Sequence, residues 1–420
     1  MLNKVLEVVK MQNLWRRKQC LNMIASENVL SPLAEKLYIS DFEGRYNEHD
    51  EECHYQGTKY AMEIENIVNK IFGEKFSTPF VDCRPIAGAI ANLCVYHAFL
   101  KPGDVFIAPG LTAGAHVSST EYGIASVKGL KSISAFFDFE RFVLDVDKTA
   151  LLIEKLNPKL IMLGRSVFLF PEPIKELREI AGDSIIVYDA AHVFGLIYAN
   201  EFQSPFEEGA DIITASTHKT FPGPQGGIIL AKADFDEQKW KKIQRAIFPG
   251  VISNHHIHRL PALAVTALEM NEFGESYAKQ IIKNAKCFAQ ALYELGFNVL
   301  CEEYGFTNSH QILVDVKNLG GGKIVAEKLE KANIITNKIA LPWDKDKDAT
   351  QNPSGIRIGV QELTRWGMTQ SEMKEIAEFF KKVLIDNQDP SKVKQEVIEF
   401  RKNFQEIKYA FSLEGEIYEV

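Results

Sequence analysis

The run Asp211-Ile212-Ile213-Thr214-Ala215 leads into Ser216-Thr217-His218-Lys219-Thr220, and Phe221-Pro222-Gly223-Pro224-Gln225-Gly226-Gly227 follows. The apolar run reads as a buried strand, and the glycines and prolines then turn the backbone. Lysine is rarely buried. At such a place it is either a solvated turn residue or an amine nucleophile for a carbonyl-bearing cofactor. The second reading points to a Schiff base with pyridoxal phosphate.

Two further features bear on that choice. Upstream, Tyr188-Asp189-Ala190-Ala191-His192-Val193 puts a carboxylate at the end of another strand-like run, where open α/β sheets bind ligands. A carboxylate there pairs with a protonated pyridine nitrogen; a helix N-cap is the plainer alternative for Asp189. Arg84-Pro85-Ile86-Ala87-Gly88-Ala89 is a small-residue turn feeding a helix. Its backbone N–H groups and helix dipole suit a phosphate, although such turns also serve simply to pack a helix closely. An acid, a lysine and a phosphate-compatible turn at one sheet edge favour the cofactor.

Positioning these groups takes a sheet covered by helices. Asp104 to Pro109, Leu160 to Leu163, Ser184 to Tyr188, Asp211 to Ala215 and Gly227 to Ala231 are the strand candidates. Their alternation with helical or loop segments predicts an α/β fold with a mostly parallel sheet. Helices are predicted over Ala61 to Phe72 and from Gly88 towards Lys101, with a long polar and aromatic loop before them, Asp41 to Tyr60. Ser31-Pro32 marks a helix start. Tyr277 to Leu295 is amphipathic and stops at Gly296. Strands near Phe297 to Cys301 and Gln311 to Val316 follow, then two helices opened by the capping box Thr369 to Glu372 and by Asp389-Pro390. The predicted division is an N-terminal helical arm, 1–30, a large domain, 31–273, and a smaller α+β C-terminal domain, 274–420. The polar stretch Asn271 to Ser276 lies at the boundary.

The chain has 420 residues, with 48 Lys and Arg against 56 Asp and Glu, a net charge of −8. That balance argues against a nucleic-acid surface and leaves small anionic ligands open, since they need only local positive charge. Six cysteines without a CxxC pair read as reduced thiols of a cytosolic protein. Residues 1–10 lack a signal-peptide core, and no apolar run approaches the ~18 residues of a membrane span. A cytoplasmic protein is expected. His49, Cys53, His54, His255, His256 and His258 fit no structural zinc spacing, so no metal site is expected.

The block Ser216-Thr217-His218-Lys219-Thr220 with Gly223-Pro224-Gln225-Gly226-Gly227 resembles the cofactor-lysine signature of serine hydroxymethyltransferases. Ile24-Ala25-Ser26-Glu27-Asn28, Arg45-Tyr46-Asn47-Glu48, Asp189-Ala190-Ala191-His192-Val193, Phe248-Pro249-Gly250 and Asn352-Pro353-Ser354-Gly355-Ile356-Arg357-Ile358-Gly359 resemble other blocks of that family, in its order. They span nearly the whole chain, and the tail and His255-His256-Ile257-His258 look most like archaeal-type members. The resemblance implies a fold-type I pyridoxal phosphate transferase, an amino acid substrate, and a homodimer with shared active sites. Tetrahydrofolate or a methanopterin-type carrier is the implied co-substrate.

It also implies roles. Lys219 carries the cofactor, Asp189 pairs its pyridine nitrogen, His192 contacts its phenolic oxygen and His116 stacks on its ring. Gly88, Ala89, Ser166, Ser216, Tyr46 and Gly250 complete the cofactor set. Arg357 holds the substrate carboxylate, for which a guanidinium fork is suited. Ser26, Tyr55 and Glu48 surround the substrate, with Glu48 as the acid–base group, Tyr46 and Tyr55 beside it from the partner subunit, and His218 beside Lys219. Glu48 is followed by Asp50, Glu51 and Glu52, and an acidic run is ordinarily a solvated face. The chain departs from the family where Ala87 and Ala89 flank Gly88 in place of serines. It also departs at the acidic loop 49–54, at Gln225 and at Ser253 to His258. The loop departure keeps a pterin-independent threonine aldolase or transaldolase open, and the alanines keep open a non-catalytic cofactor-binding homologue.

Overall fold

The computed structural model describes residues 1–50, 52–344 and 351–412. It divides into two compact units. One comprises Met1–Glu27 with Tyr277–Lys408; the other comprises Asn28–Ser276 and the segment that begins at Tyr409.

The larger unit is built on seven strands: β1 Val81–Asp82, β2 Val105–Ala108, β3 Lys131–Ser134, β4 Leu160–Leu163, β5 Ile185–Asp189, β6 Ile212–Ser216 and β7 Gly227–Ala231. Their order is β1-β7-β6-β5-β4-β2-β3. Pairing is parallel from β6 through β3, and β7 runs antiparallel to both β1 and β6. The α/β class with a mostly parallel sheet is as the apolar runs predict. Strands β4, β6 and β7 are buried at every residue, as a sheet covered on both faces requires. β1 and β3 escape the pattern: β1 is two residues long, and the edge strand β3 has partly polar, partly exposed positions.

The helix Gly88–Phe99 packs against this sheet. Ala91, Cys94 and Val95 join Phe106, Met162, Val187 and Ile229 in one core. The helix Lys59–Phe76 buries Val68, Ile71 and Phe72, and Phe72 stacks on Phe194 at 6.0 Å and meets Tyr198 edge-on and Phe221 tilted, each at 5.6 Å.

The smaller unit holds four strands, β8 Asn298–Val299, β9 Gln311–Asp315, β10 Asn337–Ile339 and β11 Gly355–Gly359, in the order β8-β9-β11-β10, all antiparallel. Met1–Glu27 belongs to this unit, where the sequence suggests a separate arm. The reason is local pairing: Leu21–Asn22 pairs in parallel with Ile334–Ile335, and Gly359 N donates to Met23 O at 2.8 Å. The stretch Asn271 to Ser276, read as a boundary, is helical. It lies inside one 36-residue helix, Arg259–Glu294, which contains the junction between the units. A single interior glycine, Gly274, costs a helix only about 1 kcal/mol, too little to break one of this length. No described helix is long and apolar enough to cross a membrane.

Helix starts follow their local signals. Ser31 Oγ accepts from Ala34 N with Pro32 in the first turn, Thr369 and Glu372 form the capping box, and Asp389 caps ahead of Pro390.

Candidate active site

At the carboxyl edge of the large sheet, β5 ends on Asp189 and β6 on Ser216, and Asp189 is registered opposite Thr214. Asp189 Oδ2 accepts from Asn92 Nδ2 at 2.7 Å and its Oδ1 from Ala191 N at 3.0 Å. Asn92 Oδ1 in turn accepts from Thr214 Oγ1 at 2.6 Å, and Asn92 Nδ2 lies 3.2 Å from Ser118 Oγ. Ser118 Oγ is 2.8 Å from His116 Nδ1. One buried asparagine therefore joins the strand-end acid to the loop that carries His116. Nothing in the local pattern marks Asn92, which sits within an apolar helix; its type alone, amide among Ala, Leu and Cys, is the signal.

Lys219 is buried, three residues past β6. Its carbonyl accepts from Asn28 Nδ2 at 2.6 Å, and the next residue's hydroxyl, Thr220 Oγ1, donates to His192 O at 2.8 Å. Gly195 N donates to Thr220 Oγ1 at 3.0 Å, and a Cβ on Gly195 would sit 2.3 Å from Thr220 backbone. So the lysine turn and the Asp189–His192 turn are stitched together. Beneath them the buried Arg259 donates to Cys83 O and, at 3.0 Å, to Pro85 O, and leaves no room for a side chain at Gly226.

The phosphate-compatible turn has its own close approach. A Cβ at Gly88 would fall 2.4 Å from Ser216 Oγ, so the helix start and the end of β6 touch only because residue 88 is glycine. Ala87 caps the helix Gly88–Phe99 without a side-chain hydrogen bond. The first-turn N–H groups, Gly88 and Ala89 among them, have no partner inside the helix and face the dipole's positive end. Ser216 sets a hydroxyl beside the turn that the alanines lack. Ser166 N donates to Gly114 O at 2.8 Å, which seats it beside the His116 loop.

His218 is half-buried, and its Nδ1 has no hydrogen-bond partner. Burial, with the Lys219 charge adding to it, lowers its pKa to about 4. The folded protein thus holds a neutral imidazole where the unfolded chain binds a proton below about 6.5. This histidine stabilises fully above that value, and its contribution falls as pH drops towards 4, by up to about 3 kcal/mol. An NMR titration of the cofactor-free protein is expected to show His218 with a midpoint near 4; a midpoint near the unperturbed 6.5 would refute its burial.

A second group gathers on the loop after Arg45. The Tyr46 and Tyr55 rings are 5.4 Å apart. The Glu48 charge, chiefly, raises the Tyr55 phenol pKa. Ser253 Oγ donates to Glu48 Oε1. Phe248-Pro249 is a cis peptide, and the exposed Gly250 follows it. A cavity of about 740 Å³ opens here, lined by His49, Asp50, His54, Arg84, Arg245 and Phe248 among others. Glu51 of the acidic loop lies outside the described residues. His49 and His255 are engaged by Glu65; among the described residues no group of three His, Cys, Asp or Glu is placed to hold a metal.

In the smaller unit Arg357 lies at the middle of β11, opposite Leu313 and Asn337, and its Nε lies 3.3 Å from Asn337 Oδ1. Burial lowers its pKa to about 10, so it stays a cation at neutral pH. The Ser26 turn docks at the end of the same strand. Gln361 Nε2 donates to Ile24 O at 2.9 Å and Glu27 O at 2.7 Å, and Gly359 packs on Ala25.

The sequence model for serine hydroxymethyltransferase matches residues 2–380. The chain belongs to the serine hydroxymethyltransferase family. It is 53% identical over 413 residues to a serine hydroxymethyltransferase of Saccharolobus islandicus, covering 98% of this chain and 94% of that protein. It is 50% identical over 418 residues to one of Staphylothermus marinus, at 99% and 94% coverage. The structure also resembles that of an L-threonine transaldolase from Pseudomonas fluorescens, with a TM-score of 0.89, 28% identity, and coverage of 97% and 93%. Serine hydroxymethyltransferases are fold-type I pyridoxal phosphate enzymes, and the sheet edge fits that cofactor. Gly88 leaves the space that a Cβ would fill, the buried Lys219 supplies an amine, and Asp189 a carboxylate held by an amide donor. His218 contributes an unmatched ring nitrogen.

Proposed function

We propose that the protein interconverts serine and glycine with pyridoxal phosphate, passing the one-carbon unit to a tetrahydropterin, either tetrahydrofolate or a methanopterin-type carrier. The observation that carries this reading is the joined edge itself: a buried Lys219 and an Asp189 fixed by Asn92, on adjacent turns tied by Thr220 and His192.

When bound, the cofactor supplies an electron sink for the carbon left as Cα–Cβ breaks. The protein's residues do the rest. Lys219 holds the cofactor through its amine, and the N–H groups at Gly88 and Ala89, with Ser216, take its phosphate. The Asp189 carboxylate would keep the pyridine nitrogen protonated; His192 and His116 would border the ring. Ser166, Tyr46 and Gly250 complete the cofactor contacts. Arg357 pairs with the amino acid carboxylate, and Ser26 lies with it on the substrate side. Glu48 exchanges the proton of the β-hydroxyl, with Tyr55 beside it, and Ser253 holds its carboxylate in one orientation. The neutral His218 serves as a hydrogen-bonding group and not as a cation near the amine.

A homodimer with shared sites accords with the N-terminal helix Leu2–Gln12, which leaves Leu2, Val5, Leu6 and Val9 exposed on one face. Such a continuous apolar stripe calls for a cover, and a second copy is the one we propose. A cytoplasmic location accords with six cysteines that form no disulfide.

Serine turnover measured with tetrahydrofolate, with a methanopterin-type carrier and with neither tests the function. Glycine formation is expected to depend on one of the carriers. Equal cleavage without a pterin, with threonine the better substrate, would replace this reading by an aldolase or transaldolase, the activity named for the structural relative.

A further inference from the structure

Glu65 is a buried carboxylate, 3% exposed, on the helix Lys59–Phe76. An ionised side chain is rarely found there unless partners surround it, and four groups do. His49 Nε2 lies 2.9 Å from Glu65 Oε1, and Asn47 Nδ2 donates to Oε2 at 3.1 Å. His255 Nε2 is 3.1 Å from Oε2, and Arg84 Nε is 4.0 Å from Oε1. Burial alone raises the Glu65 pKa, but the contacts from His255 and His49 outweigh it and leave the group well below the usual carboxylate range. The same bond raises the pKa of His49.

Two of these partners, Asn47 and His49, are the immediate neighbours of Glu48. With both turned inward, the side chain between them is turned the other way, as along a strand. The third partner, His255, stands two residues after Ser253, whose hydroxyl holds Glu48 Oε1. Asn254, between them, accepts from Asn47 N at 3.2 Å and donates to Arg45 O at 2.8 Å. Arg84, paired with Asp82 at 2.6 Å, donates to His49 O at 3.0 Å. The Asn47–His49 segment and the Ser253–His255 segment therefore converge on one buried anion.

We propose that Glu65 is a positioning residue that aims the Glu48 carboxylate, acting through His49 and Asn47 on one side and the Ser253–His255 segment on the other. This rests on Glu48 as the acid–base group. Misplacement of a reacting group by about 1 Å can cost up to 100-fold in rate, so loosening this clamp lowers kcat while the amino acid and cofactor still bind.

The test uses the cofactor-loaded enzyme and the variants Glu65→Gln, His49→Ala, His49→Gln and Glu48→Gln, read by kcat and KM for serine and by cofactor content. Glu65→Gln and His49→Ala are expected to lower kcat about tenfold, with KM for serine within about twofold and full cofactor loading. His49→Gln, which can still donate to Glu65, is expected to recover most of kcat. In a Glu48→Gln background His49→Ala should cost less than about twofold more, because its effect runs through Glu48. If Glu65→Gln fails to fold, the His49 series decides alone. Wild-type kcat in His49→Ala, beside an impaired Glu48→Gln, overturns the positioning role. Additive losses in the double variant do so too, since they assign His49 a purely structural part. Wild-type turnover in Glu48→Gln instead overturns the reading of Glu48 on which this stands.

Discussion

Lys219→Ala is expected to lower serine cleavage by about a thousandfold or more, equivalent to ~4 kcal/mol or more of transition-state stabilisation, and to abolish the visible absorption of covalently held cofactor. Several features localise the loss to the amine. The backbone at 219 is fixed from outside the side chain, by Asn28 on its carbonyl and by Thr220 on His192 O. Thr217, Thr220 and Phe221 around it are fully buried, and Thr217 Oγ1 donates to Pro224 O at 2.6 Å. Truncation at Cβ therefore leaves the turn standing, and the Tm is expected to move little. Asp189 and Asn92 also stay in place, so the variant should still take up cofactor reversibly. Reduction with borohydride followed by mass spectrometry checks the assignment. A Lys219→Ala protein that retains a covalently linked cofactor would remove Lys219 from its role.

Glu172→Gln is expected to destabilise the larger unit by about 3–5 kcal/mol, the cost of leaving one partner of a buried ion pair unmatched. Arg165 Nε and Glu172 Oε1 are 2.5 Å apart, with both side chains at 0% exposure. The guanidinium lies 4.7 Å over the Phe137 ring and 5.5 Å from that of Phe168. It also donates to Ala113 O and Phe142 O, each at 3.3 Å. Without the Glu172 charge a cation stays in an aromatic box with no anion to offset its desolvation. The damage reaches the site because Ala113 precedes Gly114, and Gly114 O accepts from both Ser166 N and Val167 N on the way to His116. Denaturant unfolding should show the loss. The double variant Arg165→Met with Glu172→Leu should restore more than half of it, since an apolar pair of similar volume replaces a buried charge pair at little cost. A Glu172→Gln protein within about 0.5 kcal/mol of the parent would show that the pair contributes nothing.

Read without its structure, the chain discloses whatever is encoded by neighbours. Strands β4 and β7 coincide with their apolar runs, because a strand buried on both faces needs an unbroken apolar stretch. Helix starts at Ser31-Pro32, Thr369 and Asp389 are likewise local, since a cap is a contact within one turn. The residues from Asp189 to His192 and from Ser216 to Lys219 stand out because the proposed chemistry needs those types at strand ends. Other features required the fold. Asn92 reaches Asp189 and Thr214 across 97 and 122 residues of chain, and no window of sequence contains that encounter. The stretch Asn271 to Ser276, read as a domain boundary, does end at the junction between the units, yet its backbone is helical and continues through a 36-residue helix. The acidic loop after Glu48 has the composition of a solvated turn, but its first residue, His49, is drawn inward by Glu65, sixteen positions along. Residue type and spacing thus determined which groups could do the chemistry. Tertiary structure decided which of them are held still, because a buried polar group must find its partner wherever the chain brings one.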